Sequence, residues 1–156
     1  MDRGVLAIVL LASAVLLAGC APSIVVQNNT TIGVRAAVTS GGEVQVLSPL
    51  PGESAAAEVD EGSYTVGVIP DRDWVQYATL EREYLVNLLA DPNTLTGPAG
   101  FDLIARLADI TAKIEEYQKA ASTGLNSGCA GTVTSEKDGV ATITSAADGK
   151  LVVSCQ

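Results

Sequence analysis

The hydrophobic pattern of the chain changes its period twice, and this change limits the folds that are open to it. Residues 24–69 alternate apolar and polar side chains, and residues 129–156 do so again, which is typical of half-buried β-strands. Between them, residues 71–122 repeat apolar side chains every three or four positions, which is typical of amphipathic helices. A chain of 156 residues has room for one compact domain. We therefore predict an α+β fold for residues 24–156.

The first strand-rich segment, residues 24–70, has the turn pattern of a small antiparallel β-sandwich or half-sandwich. Alternating runs at 32–38 and 43–47 are separated by a Gly-Gly turn, and prolines break the chain after the second run. The stretch 50–66 is similar to small extracytoplasmic β-sandwich modules, in which a proline-glycine turn precedes a strand with a G-x-Y-x-V pattern. This resemblance is generic and implies no functional residues.

Residues 71–123 are predicted to form a helical hairpin. Asp71 is placed to cap the first helix, the Asp-Pro pair at 91–92 to end it near residue 90, and Pro98 to begin the second. Each helix has one expected apolar stripe. The stripe of the first helix is Trp74, Tyr77, Ala78, Tyr84, Leu85 and Leu88, and that of the second is Leu103, Leu107, Ile110, Ile114, Tyr117 and Ala121.

The stripe on the second helix has two interpretations. In the first, it packs inside the molecule, against the first helix or a sheet. In the second, it is a coiled-coil seam for a protein partner or a second copy, with Leu103, Leu107, Ile110, Ile114 and Tyr117 as its face. Fewer than three heptads make an isolated coiled coil marginal, which favours packing inside the molecule.

The N-terminus has the composition of an export signal. Residues 4–17 are fourteen small or apolar side chains that follow Arg3, which is a suitable length for the apolar core of a secretory signal. The run ends in Leu17-Ala18-Gly19-Cys20, which resembles the lipobox of bacterial lipoproteins. An uncleaved anchor is the alternative, because residues 4–26 carry no charge and are long enough to cross a bilayer.

The lipobox resemblance has direct consequences for the mature chain. It implies that residues 1–19 are removed as a signal peptide and that the Cys20 sulfur carries a diacylglycerol, with fatty acyl chains such as palmitate. Residues 20–23 then form a short lipid tether. The expected location is the extracytoplasmic face of a membrane in the bacterial cell envelope. Ala21 carries no aspartate retention signal, which permits the outer membrane if the host has one.

The second strand-rich segment, residues 124–156, is predicted to be a three-stranded β-meander with hairpin turns at two Asp-Gly pairs. The chain has three cysteines. If Cys20 carries lipid, Cys129 and Cys155 remain as a pair, and in an exported chain a pair is most simply interpreted as one disulfide. The bridge would tie the two ends of this meander.

Composition excludes several classes of function. The chain has no histidine, nine Lys+Arg and eighteen Asp+Glu, for a net charge of −9. These counts exclude a Ser-His-Asp triad, a histidine-ligated zinc site and a basic nucleic-acid surface. We expect no catalytic residue, no cofactor, no metal and no nucleic-acid partner. One acidic cluster is expected to be a solvated edge that could attract a cationic partner: Glu53, Glu58, Asp60 and Glu61.

Three functions remain in competition. The favoured hypothesis is a non-enzymatic, membrane-anchored lipoprotein that acts as a structural or partner-binding module. The alternative is an acidic inhibitor or binder of a cationic protein, suggested by the net charge of −9. The remote alternative is a carboxylate-based hydrolase, which requires two acids facing each other in a cleft.

Overall fold

The computed structural model describes residues 21–94, 98–123 and 127–156. The predicted signal peptide 1–19 and the predicted lipidation site Cys20 lie outside the described residues. Within them the chain forms eight strands and two helices, so the α+β prediction is confirmed. The elements are β1 Ser23–Asn28, β2 Val34–Ser40, β3 Glu43–Leu47, β4 Ser54–Glu58, β5 Gly62–Pro70, α1 Arg72–Leu89, α2 Pro98–Ser122, β6 Ser127–Val133, β7 Gly139–Ser145 and β8 Leu151–Cys155.

Both strand-rich segments contribute to both sheets. The first sheet has the order β4-β1-β7-β8, and the second has the order β3-β2-β5-β6. Neighbouring strands are antiparallel except β1 and β7, which pair in parallel from Ile24 with Gly139 to Asn28 with Ile143. The first segment therefore supplies two strands of the first sheet and three of the second, and the last three strands complete the sandwich.

The predicted C-terminal meander is wrong at its first strand. β6 pairs with β5 in the second sheet, from Val133 with Gly62 to Ser127 with Val68, whereas β7 and β8 lie in the first sheet. The chain crosses between the sheets after β6, in a turn closed by a bridge between Thr134 and Lys137. The alternation of apolar and polar residues identifies each strand, but it does not indicate which strand lies beside it. The prediction paired β6 with β7 because they are consecutive in the sequence.

The predicted disulfide between Cys129 and Cys155 is present, with 5.6 Å between the two Cα atoms. Its role differs from the prediction, because Cys129 lies in β6 and Cys155 in β8, so the bridge joins the two sheets. The backbone N–H of Val153 donates to Ser127 Oγ at 3.0 Å along the same edge. At the opposite edge, the Gln45 amide donates to the Glu58 carbonyl at 2.6 Å and links β3 to β4.

The core lies between the two sheets and follows the strand period. Burial alternates along β1 and β2, with Ile24, Val26, Val34, Ala36 and Val38 fully buried. The largest fully buried side chain is that of Tyr64 in β5. Its ring occupies space left by two glycines: a Cβ at Gly131 or Gly139 would come within 2.6 or 2.8 Å of it.

A buried asparagine fixes the turn after β1. The Asn28 side chain is fully buried, and its amide donates to the carbonyls of Ile32 and Pro49 at 2.9 and 3.0 Å. Its carbonyl oxygen accepts from the backbone N–H and the hydroxyl of Thr30. The polar group is thus fully paired, as burial requires.

The two helices form the predicted hairpin. Asp71 caps α1 by accepting from the backbone N–H of Asp73 at 3.0 Å, Ala90 ends it, and α2 begins at Pro98, all as predicted. The helices share a small core of four buried side chains, which are Ala78, Leu85, Ile110 and Ile114. Only the base of the hairpin joins the sandwich core, through Trp74, Tyr117 and Ala120.

Replacement of both Cys129 and Cys155 by serine should lower the free energy of unfolding by about 3.5 kcal/mol, because the bridge closes a loop between cysteines 26 positions apart in the sequence. Urea denaturation measures the loss. A reducing agent should lower the stability of the parent chain to that of the variant and leave the variant unchanged. Equal stability of parent and variant would show that the bridge does not hold the sheets together.

Gly33→Ala should destabilise the joint between hairpin and sandwich, because a Cβ there would lie 2.3 Å from Trp74 Cγ. We expect a loss of about 1–3 kcal/mol, the usual cost of overpacking, together with a changed emission spectrum of Trp74. Gly67→Ala is the matched control, since its Cβ meets no atom within 4 Å. The prediction fails if both variants lose the same stability.

Candidate functional site

The parallel course of β1, β5 and β7 gives the sandwich two distinct ends. We call the end where these strands begin the proximal end, which holds Ser23, Gly62 and Gly139. The end where they finish is the distal end, which holds Pro70 and Ser145. The chain enters the described structure at the proximal end and passes into the helical hairpin at the distal end.

The chain is held by the sandwich almost as soon as it enters. The backbone N–H of Ser23 donates to Asp138 at 2.7 Å, and the carbonyl of Pro22 accepts from the N–H of Val59 at 3.0 Å. Ser23 is already the first residue of β1. Ser23, the last residue of the predicted tether 20–23, is therefore part of the sandwich.

The proximal end is strongly acidic. Among the described residues it carries one cation, Lys137, and six exposed carboxylate side chains, which are Glu43, Glu58, Asp60, Glu61, Glu136 and Asp138. Beside Ala21 there is an open cleft of about 230 Å³ whose lining includes Glu43, Glu58 and Asp60. This density of exposed negative charge attracts cations over about a Debye length, roughly 10 Å in ordinary salt.

The acidic cluster predicted from sequence is only partly assembled. Glu58, Asp60 and Glu61 lie together at the proximal end, and the carboxylate of Glu61 accepts from the N–H of Ser135 at 2.7 Å. Glu53 lies at the distal end, where its backbone pairs with that of Asn28. No group of three or more potential metal ligands occurs in the part of the chain that the structure describes.

At the distal end, ion pairs and hydrogen bonds from two hydroxyl groups fix the base of the hairpin to the sandwich. The guanidinium of Arg35 in β2 lies 3.3 Å from Asp71 and 2.7 Å from Asp73 at the start of α1. On α2, the carboxylate of Glu116 accepts from the hydroxyls of Thr31 and Ser145, which lie in loops or strand ends of the first sheet. Both helices of the hairpin are therefore held to the sandwich by polar contacts at their base.

The stripe predicted on the second helix packs inside the molecule. Leu103, Leu107, Ile110 and Ile114 face α1, and Tyr117 packs on Trp74 with ring centroids 6.3 Å apart. These are the five residues named above as a partner face, so that face is covered in this arrangement and the intramolecular interpretation is the one observed. Ala121, the last member of the predicted stripe, is exposed, and Ala120 is buried in its place.

The stripe predicted on the first helix is wrong in part. Ala78 and Leu85 are buried, but Tyr77 and Tyr84, each one position earlier, are 78% and 63% exposed. Successive residues of an α-helix are rotated by about 100° around its axis. These two tyrosines therefore lie beside the contact with α2 rather than in it. Leu80 is also 63% exposed. Together they border an open groove of about 420 Å³ between the helices.

A second apolar surface was also missed by the sequence pattern. On the outer face of the second sheet, Ala37, Gly67 and Gly128 lie side by side across three strands. They form the floor of a shallow trench of about 390 Å³, bordered by Val46 and Ile69. Val46 and Ile69 are 59% and 50% exposed. The small side chains at the floor of the trench leave no signal of a depression in the sequence.

Two tyrosines have perturbed hydroxyl groups. Burial raises the pKa of Tyr64 above its ordinary value near 10. Burial also raises the pKa of Tyr117, an effect that the charge of Arg72 opposes and that of Asp71 reinforces. Both side chains hold the molecule together: Tyr64 fills the sandwich core, and Tyr117 joins the hairpin to it.

No described helix combines the length and the apolar character that a membrane span requires. No family model, no curated protein and no solved structure matches the chain.

Stability should fall at alkaline pH, and Tyr64→Phe should reduce that fall. The raised pKa means that the folded state holds the Tyr64 proton more tightly than the unfolded state does. This contribution is complete below about pH 10 and is lost as the pH rises through the higher pKa of the folded state. Urea midpoints between pH 8 and pH 11 measure it. Parallel pH curves for parent and variant would contradict the assignment.

Proposed function

We propose that the protein is a membrane-anchored bacterial lipoprotein that acts without catalysis. In this proposal Cys20 carries the lipid, and the folded domain stands on the extracytoplasmic face of a membrane as a structural or partner-binding module. The supporting observations are the lipobox at 17–20, the position of the first strand, and the placement of the helical hairpin.

One observation carries the proposal: an interior strand of the sandwich begins three positions after Cys20. β1 is hydrogen-bonded to β4 on one side and to β7 on the other, so its start cannot move away from the domain. Three residues reach at most about 10 Å. A lipid on Cys20 therefore holds the proximal end of the sandwich close to the bilayer surface.

In this proposal the hairpin lies at the end of the sandwich that is remote from the membrane. β1 has six residues and β5 has nine. At about 3.3 Å per residue these strands separate the two ends of the sandwich by roughly 20–30 Å. The hairpin leaves from the distal end, and its helices extend it further. We propose that the sandwich is a spacer on the lipid and that the hairpin is the part offered to other molecules.

The charge distribution favours the anchored module over an acidic binder of a cationic protein. Six exposed carboxylates surround the end at which the lipid would be attached, so a large cationic partner would have to approach beside the bilayer. These groups repel anionic headgroups. The attachment thus depends on the lipid, and a diacylglycerol supplies the two acyl chains that stable anchoring needs.

The disulfide is consistent with export. Cys129 and Cys155 are bonded across the two sheets, and such bridges persist in oxidising compartments outside the cytoplasm. All three cysteines then have an assigned state, because the third carries the lipid. No thiol remains for redox chemistry or metal binding, which agrees with a module that does not catalyse a reaction.

Growth of a bacterial host with labelled palmitate tests the anchor. The parent chain should incorporate label and sediment with membranes, and Cys20→Ala should abolish the incorporation because it removes the acylated sulfur. Cys129→Ala is the matched control, since it also removes one cysteine but should remain labelled. Label on the Cys20→Ala chain, or no label on the parent, would contradict the proposed lipidation.

A further inference from the structure

The first helix of the hairpin has an apolar flank that nothing in the described structure covers. We call the row of Tyr77, Leu80 and Tyr84 the α1 seam; these side chains are 78%, 63% and 63% exposed. They lie three and four positions apart, so they form a single row along the helix. We infer that the α1 seam is the interface of a parallel homodimer, in which two hairpins pack side by side as a four-helix bundle.

The exposed area suits a dimer. An aromatic side chain has about 200 Å² to bury, so the exposed parts of Tyr77 and Tyr84 together amount to roughly 300 Å². Each partner in a stable interface buries about 800 Å². The two tyrosines thus account for more than a third of the area that each partner must bury. Leu80 and the neighbouring helix surface add to it. Tyrosine suits this position because in the dimer its ring would be buried while its hydroxyl would reach water at the rim.

The hairpin by itself buries few side chains. Helices of 18 and 25 residues share only four buried side chains in the described structure, and one of these is the alanine at position 78. Two helices alone form a single layer, whereas stable helical bundles enclose a core between layers. The groove of about 420 Å³ beside the seam, floored by Ala78 and Ile110, is where the second hairpin would insert its own seam.

Charge favours a second copy over a cationic partner at this surface. The two helices carry five cations against seven anions, for a net charge of −2, although the whole chain has −9. Most of the negative charge is therefore on the sandwich. Two hairpins can meet without strong repulsion, and Glu81, the charged residue that lines the groove, is already paired with Arg106.

The parallel direction of the two copies rests on the proposed lipid anchor. The assignment of the α1 seam as an interface does not depend on that anchor. Two copies on one membrane point their hairpins in the same direction, and a two-fold axis along the hairpins then brings each seam residue to its own counterpart. Confinement to the membrane raises the effective concentration of the copies. The groove on the opposite flank is less suitable, because Arg82, Glu83, Asn87 and Thr111 line it beside Val86 and Leu107, and a second hairpin there would have to desolvate two charged side chains.

Disulfide cross-linking in native membranes tests the inference. The native cysteines are bonded or proposed to be acylated, so an introduced cysteine supplies the reactive thiol. Under mild oxidation the full chain with Tyr84→Cys should form at least tenfold more covalent dimer than the chain with Phe101→Cys. Phe101 is the matched control because it is an aromatic residue of the hairpin, 75% exposed, outside the seam. Adding Leu80→Glu to Tyr84→Cys should lower cross-linking to the control level.

Two results would overturn the inference. The first is equal cross-linking of the two variants, which would indicate random collision. The second is no dimer with Tyr84→Cys alone; if Tyr77→Cys and Tyr84→Cys chains then form a dimer with each other, the pairing is antiparallel. The anchor is judged separately, from whether each chain sediments with the membranes, so failure of the anchor and failure of the seam are distinguishable.

Discussion

The arrangement of this molecule depends on the double pairing of its first strand. β1 lies between β4 and β7, so the earliest described strand of the chain is in the interior of a sheet rather than at its edge. Its inner face, Ile24, Val26 and Asn28, is fully buried. Any force applied to the chain just before Ser23 is therefore transmitted to the whole sandwich. A strand at the edge of a sheet could peel away under the same force, because it is paired on one side only.

This pairing also explains why the two halves of the sequence cannot be separated. β1 needs β7 as its parallel neighbour, and β5 needs β6, so the strands that follow the hairpin complete both sheets. The disulfide between Cys129 and Cys155 then joins the sheets along one edge, and the contact of Gln45 with Glu58 joins them along the other. The helices are an insertion between β5 and β6. Such an insertion leaves the sandwich intact while it adds a projecting surface at the distal end.

The sequence predicted the elements well because each leaves a local signal. Period-two runs marked the strands, Asp71 and Pro98 marked the starts of the helices, and cysteine counting identified the bridge. Pairing was predicted less well, since the choice of neighbour for β6 is made by tertiary contacts and not by its own residues. The seam was missed for a different reason: an apolar residue on a helix looks the same whether a partner helix or solvent lies above it.

The proposed function follows from an order of parts: lipid, acidic proximal end, sandwich, and then hairpin. Neither the acidic end nor the disulfide alone would suggest that order. The order rests on the proposed lipid at Cys20 and on the few residues that separate this position from an interior strand. The proposed dimer through the α1 seam is compatible with this order, because two hairpins anchored at the same height above one membrane would meet flank to flank.

The orientation of the domain on the bilayer is the central claim, and the emission of Trp74 tests it directly. Trp74 is the only tryptophan of the chain and packs on Gly33 at the distal end, about 20–30 Å from the start of β1. The lipidated protein would be placed in vesicles that contain lipids with a short-range quencher on the headgroup. We predict that the emission of Trp74 remains unquenched. Strong quenching that depends on the labelled lipid would show that the distal end lies on the membrane, and would contradict the account.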